Sequence, residues 1–65
     1  MAGSNQNALD VLLAEIRKLA DDSIEQVNSG LCKDFADYRY RCGIIHGLRL
    51  SERELIDLKK RIEEA

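Results

Sequence analysis

The stretch RYRCGIIHGLRLSER, residues 39–53, gathers one cysteine, one histidine, two glycines four apart and four arginines into fifteen positions. Cys42 and His46 stand at i, i+4, a spacing that turns two side chains to one face of a helix, where both could reach a single metal ion. A structural zinc site needs four ligands. The only other cysteine, Cys32, lies ten positions earlier, and there is no second histidine. A cysteine–histidine couple can also make an activated nucleophile, but it then needs an orienting group and donors for an oxyanion. The sequence offers neither. Cys42 is therefore read as a small buried residue and His46 as a boundary residue. The chain is expected to be non-enzymatic, with no catalytic, cofactor-binding or metal-ligating residue and no small-molecule substrate. If both cysteines are helical, about 15 Å of helix separates them and no bridge can form within the chain.

Two further chemistries are open to the same stretch. Arg39, Arg41 and Arg49, interleaved with Tyr38 and Tyr40, have the residue types that hold phosphate and stack on bases. Asp34, Asp37, Glu52 and Glu54 dilute that field, and ten basic against twelve acidic residues leave a net charge of -2. Nucleic acid is thus not the expected partner, and a nucleic-acid-binding dimer using Arg39, Arg41 and Arg49 stands as an alternative. Gly43 and Gly47 match the small-xxx-small pattern of membrane helices. Arg39, Arg41, His46 and Arg49 surround too few apolar residues for a span of roughly 20, so no membrane partner is expected. What survives is geometric. Two glycines inside a helix cost about 1 kcal/mol each relative to alanine, and with Ala36 they form a shallow strip that another helix backbone could approach.

The elements that carry these residues follow from periodicity. Leu9, Leu12, Leu13, Ile16, Leu19, Ala20, Ile24 and Val27 recur at three- and four-residue steps, which places them on one face of a helix over about 8–28. Asn5 or Asn7 is the expected N-cap, and residues 1–6 are expected to be extended or disordered. Asn28-Ser29-Gly30-Leu31 reads as a stop, with Gly30 in a left-handed C-cap and Leu31 folding back on the last turn. A second helix is expected over about 33–63, with Asp34 in its first turn and the turn itself at 29–32. Its apolar stripe, from Phe35 and Tyr38 through Cys42, Ile45 and Leu48 to Leu55 and Ile62, drifts as in a left-handed supercoil. Proline is absent and no window alternates as a strand does. The fold class is all-α, an antiparallel, coiled-coil-like two-helix hairpin with the second helix longer.

A short turn fixes a register in which facing residue numbers add to about 62, so that Ala20 faces Cys42, Ile16 faces Ile45 and Leu13 faces Leu48 or Arg49. The first helix then runs out near Leu9, and roughly 15 Å of the second projects beyond it. Leu55, Ile56, Leu58 and Ile62 would be left bare there. Apolar burial and conformational entropy nearly cancel in so short a chain, and 45% apolar residues against 34% charged describe a chain that folds rather than a disordered one. Such a hairpin is completed by other protein chains, and Ala36, Gly43, Gly47, Leu55, Ile56, Leu58 and Ile62 are the expected partner-binding residues.

The segment GLCKDFADYRYRCGIIHGLRLSERELIDL resembles a family of very short proteins of tailed bacteriophages. The resemblance lies in Cys32, Lys33, Asp34, Phe35, Ala36, Asp37, Tyr38 and Arg39, a Cys-Lys-Asp-aromatic-Ala-acidic-Tyr-Arg run, followed by the Gly-x-x-x-Gly-Leu run from Gly43 to Leu48. It covers about thirty residues, in effect the second helix. It implies a companion of virion structural proteins, located in the virion and, during assembly, in the host cytoplasm. The expected function is a structural part docked in multiple copies on a capsid, portal or tail protein, through self-association or a larger virion protein. The alternative from another class is a small regulator or inhibitor of a host or phage enzyme.

Overall fold

A computed structural model describes the backbone of residues 2–65 and the side chains of residues 8–65. The chain forms two α-helices, α1 (Ala2–Asn28) and α2 (Phe35–Glu64), packed antiparallel as a hairpin of 48 × 15 × 11 Å. No strand occurs among the described residues. The second helix is the longer, with 30 residues against 27.

The stop at the end of α1 is a full Schellman motif. The Leu31 amide donates to the Gln26 carbonyl at 3.4 Å and the Gly30 amide to the Val27 carbonyl at 3.3 Å. Both bonds use carbonyls that the helix end leaves without partners. The geometry requires a left-handed residue at position 30, and Gly30 has φ 79°. Leu31 itself stays 61% exposed, so its fold-back covers little of its side chain.

The turn is longer than the four residues expected, because Asp34 stands before the second helix rather than inside it. Its backbone is extended and its carboxylate accepts from the Asp37 amide at 2.8 Å, while the Asp37 carboxylate accepts from the Lys33 amide at 3.0 Å. Two acidic side chains thus satisfy two amides at the start of α2, a reciprocal cap of the capping-box kind. With Asp34 as cap, α2 starts at Phe35 rather than at position 33.

The register differs too: abutting helix ends at Asn28 and Phe35 would give facing numbers that add to 63, but the non-helical residues 31–34 carry the chain past the end of α1, so that the first turns of α2 project beyond it. Arg17 pairs with Glu52, Asp10 with Lys59 and Asp21 with Arg49, so facing numbers add to 69 or 70 instead of about 62. The shift is one heptad. A seven-residue slide returns nearly the same face of a helix to its partner, which is why the same apolar stripes meet with different neighbours. Ala20 packs level with Leu48 and Arg49, not Cys42. Residues 1–6 are expected from the sequence to be extended or disordered, but the α1 backbone is helical from Ala2, so Asn5 and Asn7 fall within the helix. Their side chains lie outside the described residues.

The expected 15 Å overhang does not exist. Leu55 meets the N-terminal half of α1 and is 7% exposed, forming with Leu13 (7%) and Ala20 (0%) the buried core among the described residues. Ile16, Ile24, Val27, Ile45 and Leu48 line the same seam half-buried. The small side chain of Ala20 lets the helices approach closely at mid-length, since interaxial distance follows the side chains at the contact.

Gly30→Ala is expected to destabilise the hairpin by about 1–2 kcal/mol, the penalty for placing a Cβ in the left-handed region. The urea midpoint of the circular dichroism signal reads it; an unchanged midpoint would mean that the chain turns without this cap.

Candidate functional site

The cysteine and histidine of the 39–53 stretch lie on the outer surface of α2, away from the seam. Phe35, Tyr38, Arg39, Cys42, Gly43 and His46 line a shallow open cleft at the first turns of the helix. Phe35 and Tyr38 stack with ring centroids 6.2 Å apart, and the Arg39 guanidinium lies 6.0 Å from the Phe35 centroid. A hydrogen bond with Cys42, and then the nearby thiol of Cys32, raise the Tyr38 hydroxyl above its ordinary pKa. Both cysteines are free thiols, half-buried. Cys32 sits in the connection and not in a helix, so the two thiols are not held about 15 Å apart along one helix axis. No group of three or more His, Cys, Asp or Glu among the described residues is placed to hold a metal ion.

The arginines are largely committed to carboxylates. Arg41 donates from Nε to Asp37 at 3.2 Å and from Nη1 to Gln26 at 2.9 Å, which ties the start of α2 to the end of α1. Arg49 lies 3.2 Å from Glu52 and 3.6 Å from Asp21. With Arg39 over Phe35, the three cations do not form one open patch for phosphate. The membrane expectation has a direct counterpart: no described helix is long and apolar enough to cross a bilayer.

The glycine strip is bare. A Cβ built on Gly43 or Gly47 meets nothing within 4 Å, and Ala36 beside them is exposed. Of the four apolar tail residues, Leu55 belongs to the hairpin's own seam and is withdrawn from any partner. Ile56, Leu58 and Ile62 remain 41%, 38% and 45% exposed.

The seam divides the surface into two unlike faces. At about 100° per residue, Asp10, Arg17 and Asp21 fall on one side of the Leu13–Ala20 line of α1, and Arg49 and Glu52 on the same side of α2. This face carries the interhelical ion pairs, with Arg17 Nε donating to Glu52 at 2.6 Å. The opposite face carries Leu12 and Leu19 of α1 with Ile44, Ser51 and Leu58 of α2. Leu12 and Leu19 are 50% and 52% exposed and Ile44 is 41% exposed. Sequence reading assigned Leu12 and Leu19 to the seam with the other apolar residues of α1. The signal that separates them is width: a single antiparallel partner covers a strip narrower than the arc from Leu12 to Leu13. No protein-family model, curated protein or solved structure matches the chain.

Two predictions follow from this arrangement. Hydrogen bonding by the Lys33 amide, with Arg41, holds the Asp37 carboxyl below its ordinary pKa, and Arg17 with Arg49 does the same for Glu52. A depressed folded-state value means that the unfolded chain binds more protons in acid. Their contribution is therefore complete above the unfolded carboxyl values, near pH 4, and is lost as pH falls through the folded ones. The urea midpoint should be insensitive to these groups from pH 5 to neutrality and drop below about pH 4, with Arg17→Ala reducing the drop. A midpoint constant down to pH 2 would contradict the assignment.

Leu55→Ala should remove about 2–5 kcal/mol, the range for a buried leucine, at every protein concentration. Leu58→Ala should act only through association, so that its cost fades on dilution. Equal costs at all dilutions would show Leu58 to be part of the hairpin core.

Proposed function

We propose that the protein is a non-enzymatic assembly part, a small structural component of a tailed-phage virion that acts by packing its helices against other protein chains in multiple copies. The observation that carries the assembly reading is the imbalance of its apolar residues. Twelve large hydrophobic side chains are well exposed among the described residues, while Leu13, Ala20 and Leu55 make up the buried core. Leu12, Leu19, Ile44 and Leu58 share one face of the hairpin, a grouping that soluble monomers seldom leave bare, and a core of three residues is small against the entropy of ordering the chain. The virion location rests on the resemblance of residues 30–58 to short phage proteins, and supplies the place rather than the mechanism.

The pairing of Arg41 and Arg49 with carboxylates weighs against the nucleic-acid alternative, because phosphate would have to displace Asp37, Asp21 and Glu52. A regulator of an enzyme would use the same exposed apolar surface but would not travel with particles. Quantitative mass spectrometry of purified particles separates the two. A virion part is expected at fixed stoichiometry per particle through successive gradients; loss of the chain on purification would rule the virion reading out.

A further inference from the structure

We infer that the hairpin is half of a four-helix bundle, and that a second copy of this chain covers the face carrying Leu12, Leu19, Ile44 and Leu58. The inference deepens the assembly reading by naming the first partner, and it rests on that reading for the need of one.

The spacing on this face is that of a bundle. Leu12 and Leu19 are seven apart on α1, and Ile44, Ser51 and Leu58 are seven apart on α2. A seven-residue repeat keeps a row facing the same neighbour along supercoiled helices. The observed register aligns the rows in levels: Leu12 beside Leu58, Leu19 beside Ser51, Gln26 beside Ile44, and Ala8 beside Ile62. Two of these levels join a large residue to a small one.

That alternation decides how a second copy fits. A two-fold axis parallel to the helices lays α1 of one copy over α2 of the other, antiparallel and at an unchanged level. Leu19 of each copy then rests on Ser51 of its partner, Ala8 on Ile62 and Leu12 on Leu58, and the fit occurs twice by symmetry. An axis across the helices would instead stack Leu12 and Leu19 on α1 of the partner and leave the Ser51 rows facing each other. The Ser51 hydroxyl already donates to the Gly47 carbonyl at 2.9 Å, so it can enter an apolar seam without losing a hydrogen bond. The ion pairs Arg17–Glu52 and Asp10–Lys59 stay on the outside, in water.

The size agrees. The roughly 800 Å² per partner of a stable interface is under a fifth of the chain's accessible surface of 5074 Å², which one of the hairpin's two broad sides can supply. A second copy also brings two helices to two antiparallel rows, which a single helix would cover only in part.

Sedimentation equilibrium of the full chain is expected to give twice the 7.4 kDa chain mass, with Leu19→Glu raising the dissociation constant at least about tenfold. Because a hairpin can lose its fold with its partner, a second test uses chains that keep the face nearly intact. In a Cys32→Ser, Cys42→Ser background, Leu19→Cys protein mixed with Ser51→Cys protein should oxidise to a disulfide-linked dimer, while each alone should not. In the proposed bundle the two copies of residue 19 lie diagonally apart, as do the two copies of residue 51. A monomeric wild-type chain overturns the dimer; so does cross-linking of the Leu19→Cys protein with itself, or none in the mixture. A monomer that still enters particles removes the dimer and leaves the virion reading, whereas a dimer absent from particles does the reverse.

Discussion

Two packed helices share a seam only about one side chain wide, and every other property of this protein depends on which residues enter it. The reciprocal cap of Asp34 and Asp37 sets where α2 begins, and the Schellman turn at Gly30 sets where α1 ends. Between them they fix the six-residue connection. The interhelical ion pairs then act as a ruler along one edge. Exposed pairs of this type contribute little to stability, commonly under about 1 kcal/mol. They matter because a slide by one heptad would part all three at once, which gives the seam one alignment among several that would bury leucines comparably.

The fold class and the stop at Gly30 were legible in the sequence because both rest on local rules. A glycine after the last periodic residue and an apolar residue behind it state the motif almost alone. The register was not legible, for a reason that lies in the pattern itself. A stripe repeating every seven residues looks the same after a seven-residue slide, so periodicity cannot distinguish Ala20 beside Cys42 from Ala20 beside Leu48. Turn length does not decide it either, because with Asp34 as the cap the ends of the two helices, Asn28 and Phe35, would still add to 63 if they abutted. The expectation that the helix ends abut therefore created an overhang and left Leu55 bare where the folded chain buries it.

The reactive-looking stretch at 39–53 was legible in a different sense. Its residue types suggested one site, and in the folded chain they are spread around α2. Arg41 and Arg49 turn to carboxylates near the seam, Cys42 and His46 to a shallow outer cleft, and Gly43 and Gly47 to open solvent. What the sequence hid was the apolar face. Leu12 and Leu19 cannot be told from seam residues until the partner helix is placed, since the eight periodic residues from Leu9 to Val27 all satisfy the same amphipathic pattern.

The bond from Ser51 to the Gly47 carbonyl has a mechanical side. A hydroxyl that bonds to the carbonyl one turn earlier draws that oxygen outward and tends to bend a helix there. Gly43 and Gly47 sit at the same level with no side chains to stiffen the outer surface. Helices curve where their solvent-side carbonyls tilt toward water, and this is where α2 resists such tilting least. The middle of α2 is therefore its compliant segment, while capped Phe35 at one end and buried Leu55 toward the other are held. A rod with a soft centre and anchored ends can follow a curved surface without breaking its seam.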